Sequence, residues 1–135
     1  MAKITWLASF ETGILDIDNE HRGLVDAISK IEGTLESGDI SGSLELIKDF
    51  LKLAADHFVH EEAFLTAIDF PRAESHSATH KRLLAMGMET LNSAKGTLDL
   101  DDVKRCHEEL IHFLLEDVVK ADAKFKSYAQ EQGRI

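Results

Sequence analysis

A single cysteine, Cys106, among 135 residues leaves no internal disulfide framework and no cysteine pair for a thiolate metal site, and it fits a reducing compartment. Long apolar runs are also missing. No segment approaches the roughly 18 apolar residues of a membrane span, and the opening residues Met1 to Leu7 lack the apolar stretch of a signal peptide. Basic residues are few beside acidic ones, 15 against 25. The resulting formal charge of −10 disfavours electrostatic binding to nucleic acid or anionic lipid, while bound cations would offset part of it. Clusters of β-branched residues are sparse, which argues against strands, and no repeat, low-complexity tract or linker divides the chain. What remains is one domain over residues 1–135, soluble and cytoplasmic, long enough to bury a core without covalent staples.

What is present has helical period. After an arm over 1–18, apolar residues recur at threes and fours in four runs, expected as helices at about 19–37, 41–65, 71–93 and 100–130. The first carries Leu24, Val25, Ile28, Ile31 and Leu35 and stops at Ser37-Gly38-Asp39; the second carries Ile47, Phe50, Leu51, Ala54, Phe58 and Leu65. The third opens near Pro71, a residue tolerated in a first turn, and ends in Asn92 to Thr97; the fourth opens on the acids Asp99 to Asp101. Helices of this length joined by short connections make an all-α, antiparallel up-down-up-down four-helix bundle, in which inward side chains from several helices converge.

Seven histidines interrupt this pattern. His57 and Glu61 stand four apart, as do His76 and His80, so each pair stacks on one helix face, and His21 lies in the apolar stripe of the first run. A lone histidine on such a stripe is more often a satisfied core residue. Three helices each presenting imidazole on a face that must be buried would leave costly polar groups unless a metal or hydrogen-bond partners satisfied them. Imidazoles mixed with carboxylates suit iron, manganese, zinc or copper.

In combination these motifs resemble the hemerythrin family, specifically its bacterial branch, over nearly the whole chain. The matching text is Trp6 in the arm, Gly13-Ile-Leu-Asp-Ile-Asp18-Asn-Glu-His21, His57-Phe-Val-His-Glu61-Glu62, and Phe70-Pro71 followed by His76 and His80. The resemblance implies a four-helix bundle holding two non-haem irons, bridged by a Glu, an Asp and an oxo or hydroxo group, with dioxygen bound reversibly at one iron. It places His21 and His57 on the oxygen-binding iron, His76 and His80 on the other, and Glu61 as a bridge.

The fourth helix departs from the family pattern. Aligned on Phe113, Leu114 and Phe125, Asp122 takes the bridging position, and Asp117 stands where the family has the third imidazole of the His76/His80 iron. A rival register makes His112 the ligand and Asp117 the bridge, at the loss of those aromatic matches; residues five apart on an α-helix lie about 140° apart around its axis, so the two registers exclude each other. With Asp117 as ligand the set becomes four imidazoles and three carboxylates. The added anion should favour ferric over ferrous iron, which calls reversible carriage into question and favours redox chemistry.

The reading therefore favours an oxygen-binding protein (carrier, storage or sensing) over an enzyme, with metal ligands His21, His57, Glu61, His76, His80, Asp117 and Asp122. Two alternatives stay open: a di-iron redox enzyme acting on peroxide, oxygen or nitric oxide, and a redox-sensing module of a signalling system with an unidentified partner. A ferritin-like oxidase would need paired Glu-x-x-His motifs, and only Glu109-Leu-Ile-His112 has that spacing. His60 is expected as a partly exposed structural residue, His107 and His112 as solvated or boundary residues, and Glu62 as a hydrogen-bonding or surface residue. Cys106 reads as a small buried hydrophobe, and Trp6, Phe10, Phe58, Phe64, Met86 and Phe113 as packing in core or arm.

Overall fold

Among the described residues, four with left-handed backbone follow the helices: Gly38 (φ 76°), Asp69 (φ 55°), Leu98 (φ 52°) and Gly133 (φ 71°). Gly38 adopts this at no steric cost, and its N–H and that of Asp39 bond back to Leu35 and Thr34, closing the first helix. The computed structural model describes residues 10–133, so Trp6 and the rest of the arm before Phe10 lie outside the described residues. The elements are α1 (Leu15–Glu36), α2 (Ile40–Ala67), α3 (Ala73–Thr97), α4 (Leu100–Leu115), a π-helical segment (Glu116–Ala121) and α5 (Asp122–Glu131). The last three form one rod, so the architecture is a four-helix bundle in which each helix packs on its sequence neighbour and α4 closes the ring on α1. No described helix is long and apolar enough to cross a membrane.

The helix ends differ from the sequence expectation for local reasons. α1 starts at Leu15 instead of residue 19, because the buried Asp18 carboxylate accepts the Thr12 N–H and hydroxyl, both at 2.8 Å, and the Gly13 N–H at 3.1 Å. That one side chain pins the approach to the helix. Asp39 caps α2 by accepting the Gly42 N–H at 2.8 Å. α3 opens at Ala73, past Pro71, and runs to Thr97 rather than 93, since Leu91 and Ala94 are buried against the core and hold the last turns. Gly87 lets α3 approach α2: a Cβ there would lie 2.6 Å from Leu51 Cδ2.

Two apolar clusters fill the interior. The larger runs from Leu24, Ile28 and Ile47 through Phe50, Phe58, Leu83 and Leu110 to Leu114; the smaller joins Ile17, Leu65, Ile68, Phe70, Phe125 and Ala129. Six of the seven residues expected as ligands fall between these clusters along the chain: His21 between Ile17 and Leu24, Glu61 between Phe58 and Leu65, His76 and His80 between Phe70 and Leu83, Asp117 and Asp122 between Leu114 and Phe125; His57 lies one turn before Glu61. The bundle thus carries one polar layer sealed above and below by hydrocarbon. Met86 is the exception among the expected packing residues; it is exposed on the outer face of α3.

Candidate metal centre

The polar layer contains four imidazoles and three carboxylates, all buried, in two overlapping groups: His21, His57, Glu61, Asp117 and Asp122, and Glu61, His76, His80, Asp117 and Asp122. Within each group the nearest donor atoms lie within 4.8 Å of one another. Every residue expected as a ligand is therefore in the layer. His112, the ligand of the rival register, is exposed and lies outside the layer, and Glu109 beside it is exposed too, so the lone Glu-x-x-His motif faces away from the interior.

The carboxylates divide their oxygens between two pairs of histidines. Glu61 directs Oε1 at the Nε2 atoms of His76 (2.6 Å) and His80 (3.1 Å), and Oε2 at those of His57 (2.9 Å) and His21 (3.4 Å). Asp122 directs Oδ1 at His76 (3.0 Å) and Oδ2 at His21 (2.9 Å). Asp117 places Oδ1 3.0 Å from His80 and Oδ2 3.9 Å from His57. Several of these atoms meet without hydrogen-bond geometry: Glu61 Oε2, Asp117 Oδ2 and both oxygens of Asp122 are buried and make no hydrogen bond. Buried oxygens without donors cost free energy, and lone pairs converging on a common space are what a cation requires, so the donor set fits a pair of metal ions.

Asp117 and Asp122 share the layer because of the π-helical segment between them. In an α-helix, residues five apart diverge by about 140°, whereas the i→i+5 hydrogen bonding of a π-turn brings them onto one side. The segment Glu116–Ala121 spans that interval. The sequence held the signal, two inward acids at a spacing α-geometry refuses.

Groups around the layer fix the imidazoles. Glu20, on α1, accepts the Nδ1–H of His57 on α2 at 2.9 Å, and its other oxygen accepts from His60, whose side chain is 65% exposed. Glu62 accepts the Nδ1–H of His80 on α3 at 3.1 Å. Both bonds leave Nε2 as the inward atom, as a carboxylate behind a ligating histidine does. Phe58 stacks on His80, centroids 3.8 Å apart and planes within 5°, and Phe125 stands edge-on to His76. Replacing Glu20 by Ala is expected to lower metal affinity roughly 10–100-fold, the range for losing such a carboxylate, whereas His60→Ala should cost far less and Glu61→Ala far more; chelator competition followed by elemental analysis ranks the three. Equal loss from Glu20→Ala and His60→Ala would contradict this assignment.

Mutual electrostatics set the protonation of the metal-free layer. Burial pushes the Glu61 carboxyl up, but the four imidazoles gathered around it, His21, His57, His76 and His80, outweigh it and hold the group well below the usual range. Burial and the charges of Asp117 and Glu61 drive Asp122 well above its usual range. Burial pulls His76 and His80 down, but Asp122 and Glu61 outweigh it at His76, raising it to about 9, and Asp117 and Glu61 do so at His80, raising it to about 10. A histidine raised from 6.5 in the folded state contributes stability that is complete below that value and is lost as pH climbs through 9 to 10. Metal must displace those protons, so its affinity should rise over the same interval. Melting curves from pH 6.5 to 10 are therefore expected to fall with pH for chelator-treated protein; a flat or rising metal-free curve would contradict this.

His107, expected as a solvated or boundary residue, is instead fully buried, its ring N–H meeting the Ile28 carbonyl at 3.1 Å across the α1/α4 contact. Cys106 is buried, and burial raises its thiol to about 11, which keeps it an unreactive packing group.

The chain is similar to known proteins over most of its length. The family described as hemerythrin HHE cation binding domain matches residues 12–129. A myohemerythrin of Theromyzon tessulatum is 26% identical over 109 residues, 81% of this chain and 82% of that protein. A bacteriohemerythrin of Clostridium acetobutylicum is 25% identical over 127 residues, 89% and 96% of the two chains. A bacteriohemerythrin of Pseudomonas aeruginosa is 25% identical over 60% of this chain, and the match spans about half of that relative, 53%. With nearly the whole bundle matched and a donor set able to hold two ions between its helices, the chain belongs to the hemerythrin family as a bacteriohemerythrin-like member, and that family binds a di-iron centre.

Proposed function

We propose that this protein binds dioxygen, or a related small oxidant, at two irons held by His21 and His57, by His76 and His80, and by the carboxylates Glu61, Asp117 and Asp122. The observation that carries the reading is the division of carboxylate oxygens between two histidine pairs, all sealed from solvent. Iron supplies the reversible electron donation to dioxygen that no amino-acid side chain offers. The protein's part is to hold and shield. Glu20 and Glu62 keep His57 and His80 in the tautomer that presents Nε2. The apolar clusters above and below exclude water, which strengthens electrostatic interactions inside and suppresses loss of oxygen as a reduced product.

One feature favours a second reading, that of a redox enzyme acting on peroxide, oxygen or nitric oxide. Asp117 brings a third anion where the family pattern has a neutral imidazole, and an anionic donor stabilises the ferric state, which shortens the life of an oxygenated ferrous protein. Optical spectra of the anaerobically reduced protein before and after air separate the two. A persistent spectrum that reverts on removing oxygen supports binding; immediate, irreversible oxidation with turnover of peroxide or nitric oxide supports the enzyme. A reduced iron-loaded protein whose spectrum ignores air, peroxide and nitric oxide alike would contradict both.

A further inference from the structure

We propose that Asp117 bridges the two metal positions, rather than completing only the one beside His76 and His80. This rests on the two-metal reading above. The geometry has three parts. Asp117 belongs to both donor groups, and its oxygens face different histidine pairs, Oδ1 toward His80 and Oδ2 toward His57. Oδ2 is buried and has no hydrogen-bond donor, so nothing else in the fold accounts for its orientation. The carboxylates also form an ordered set: Asp122 spans His76 and His21, Asp117 spans His80 and His57, and Glu61 between them reaches all four. Asp117 thus repeats toward the Leu114 side of the layer what Asp122 does toward the Phe125 side, and the π-helical segment permits both.

The consequence is symmetry. A terminal Asp117 would make the two positions unequal, as an added imidazole does. A bridging Asp117 gives each position two imidazole nitrogens and one oxygen from each of three carboxylates, one donor short of an octahedron. The solvent-derived bridge that the family resemblance implies would complete both sets, so a substrate would enter by replacing it, which narrows the class to diatomic or peroxidic molecules able to meet two metals together. Such a molecule would meet both ions, which suits two-electron reduction of a peroxidic molecule by a pair of ferrous ions, each becoming ferric, better than carriage on one iron.

The test is stepwise titration of intact, metal-free protein with Co²⁺, followed by absorption and calorimetry, comparing wild type with Asp117→Asn. A bridge weakens both binding steps at least about tenfold, whereas a terminal ligand leaves one step at wild-type affinity, which overturns the proposal. Two half-site backgrounds guard against a misfolded variant: His21→Gln/His57→Gln and His76→Gln/His80→Gln each leave one position. Asp117→Asn is expected to weaken the remaining ion in both; loss confined to the background retaining His76 and His80, or loss in neither, overturns the bridge. Wild type binding fewer than two Co²⁺ per chain sinks the two-metal reading itself, whereas two Co²⁺ with only one step weakened sinks the bridge alone.

Discussion

Removing the bound metals is expected to lower the melting temperature by roughly 15–25 °C. Without ions, three carboxylates and four imidazoles share one buried layer, and four of the carboxylate oxygens there have no hydrogen-bond donor. Cations that bind this layer in the native state alone would stabilise the fold. Each site filled at about 100 times its dissociation constant adds about 2.7 kcal/mol, so two sites add about 5 kcal/mol. A domain of this size shifts by roughly 3–5 °C per kcal/mol. Calorimetry on iron-loaded and chelator-stripped samples at one pH measures the difference directly. Coincident transitions would mean that the layer is satisfied without metal, against the interpretation of its orphaned oxygens.

Asp117→His should convert the redox behaviour. The substitution removes one anion beside the ions and restores the five-imidazole, two-carboxylate set of the family pattern. One charge a few ångströms from the metals, at an effective dielectric near 20, is worth several kcal/mol. After screening by the other ligands, a rise in reduction potential on the order of 100 mV is expected. The oxygenated form should decay more slowly in proportion, which stopped-flow absorbance reads against wild type. His112→Ala is the control: the side chain is exposed on the outer face of α4, so iron content and spectrum should stay as they are. Loss of iron from His112→Ala with unchanged redox behaviour in Asp117→His would reverse the assignment of the fourth helix.

Much of this was legible in the sequence because helical spacing carries local geometry. His57 with Glu61 and His76 with His80 sit four apart, a spacing that leaves little choice of face once the apolar stripe is fixed, and both pairs reach the layer. Asp117 and Asp122 were legible only by motif. An α-helix would have turned one of them away, and the π-helical segment admits both. Glu20 was out of reach for a different reason: its partner His57 lies 37 positions away on another helix, and the pairing exists only once α1 and α2 are in register. The same holds for His107, whose burial depends on meeting the Ile28 carbonyl of α1. The helix boundaries were missed where a single side chain decided them, Asp18 at the start of α1 being the clearest case.

The most direct test is a count of iron. Metal-free protein loaded with ferrous iron anaerobically, desalted and shown to be folded by circular dichroism, is analysed for iron per chain. Two irons are expected, falling well below two when Glu61, which faces all four histidines, is replaced by Ala. A folded wild-type protein retaining close to none would contradict the dinuclear centre outright.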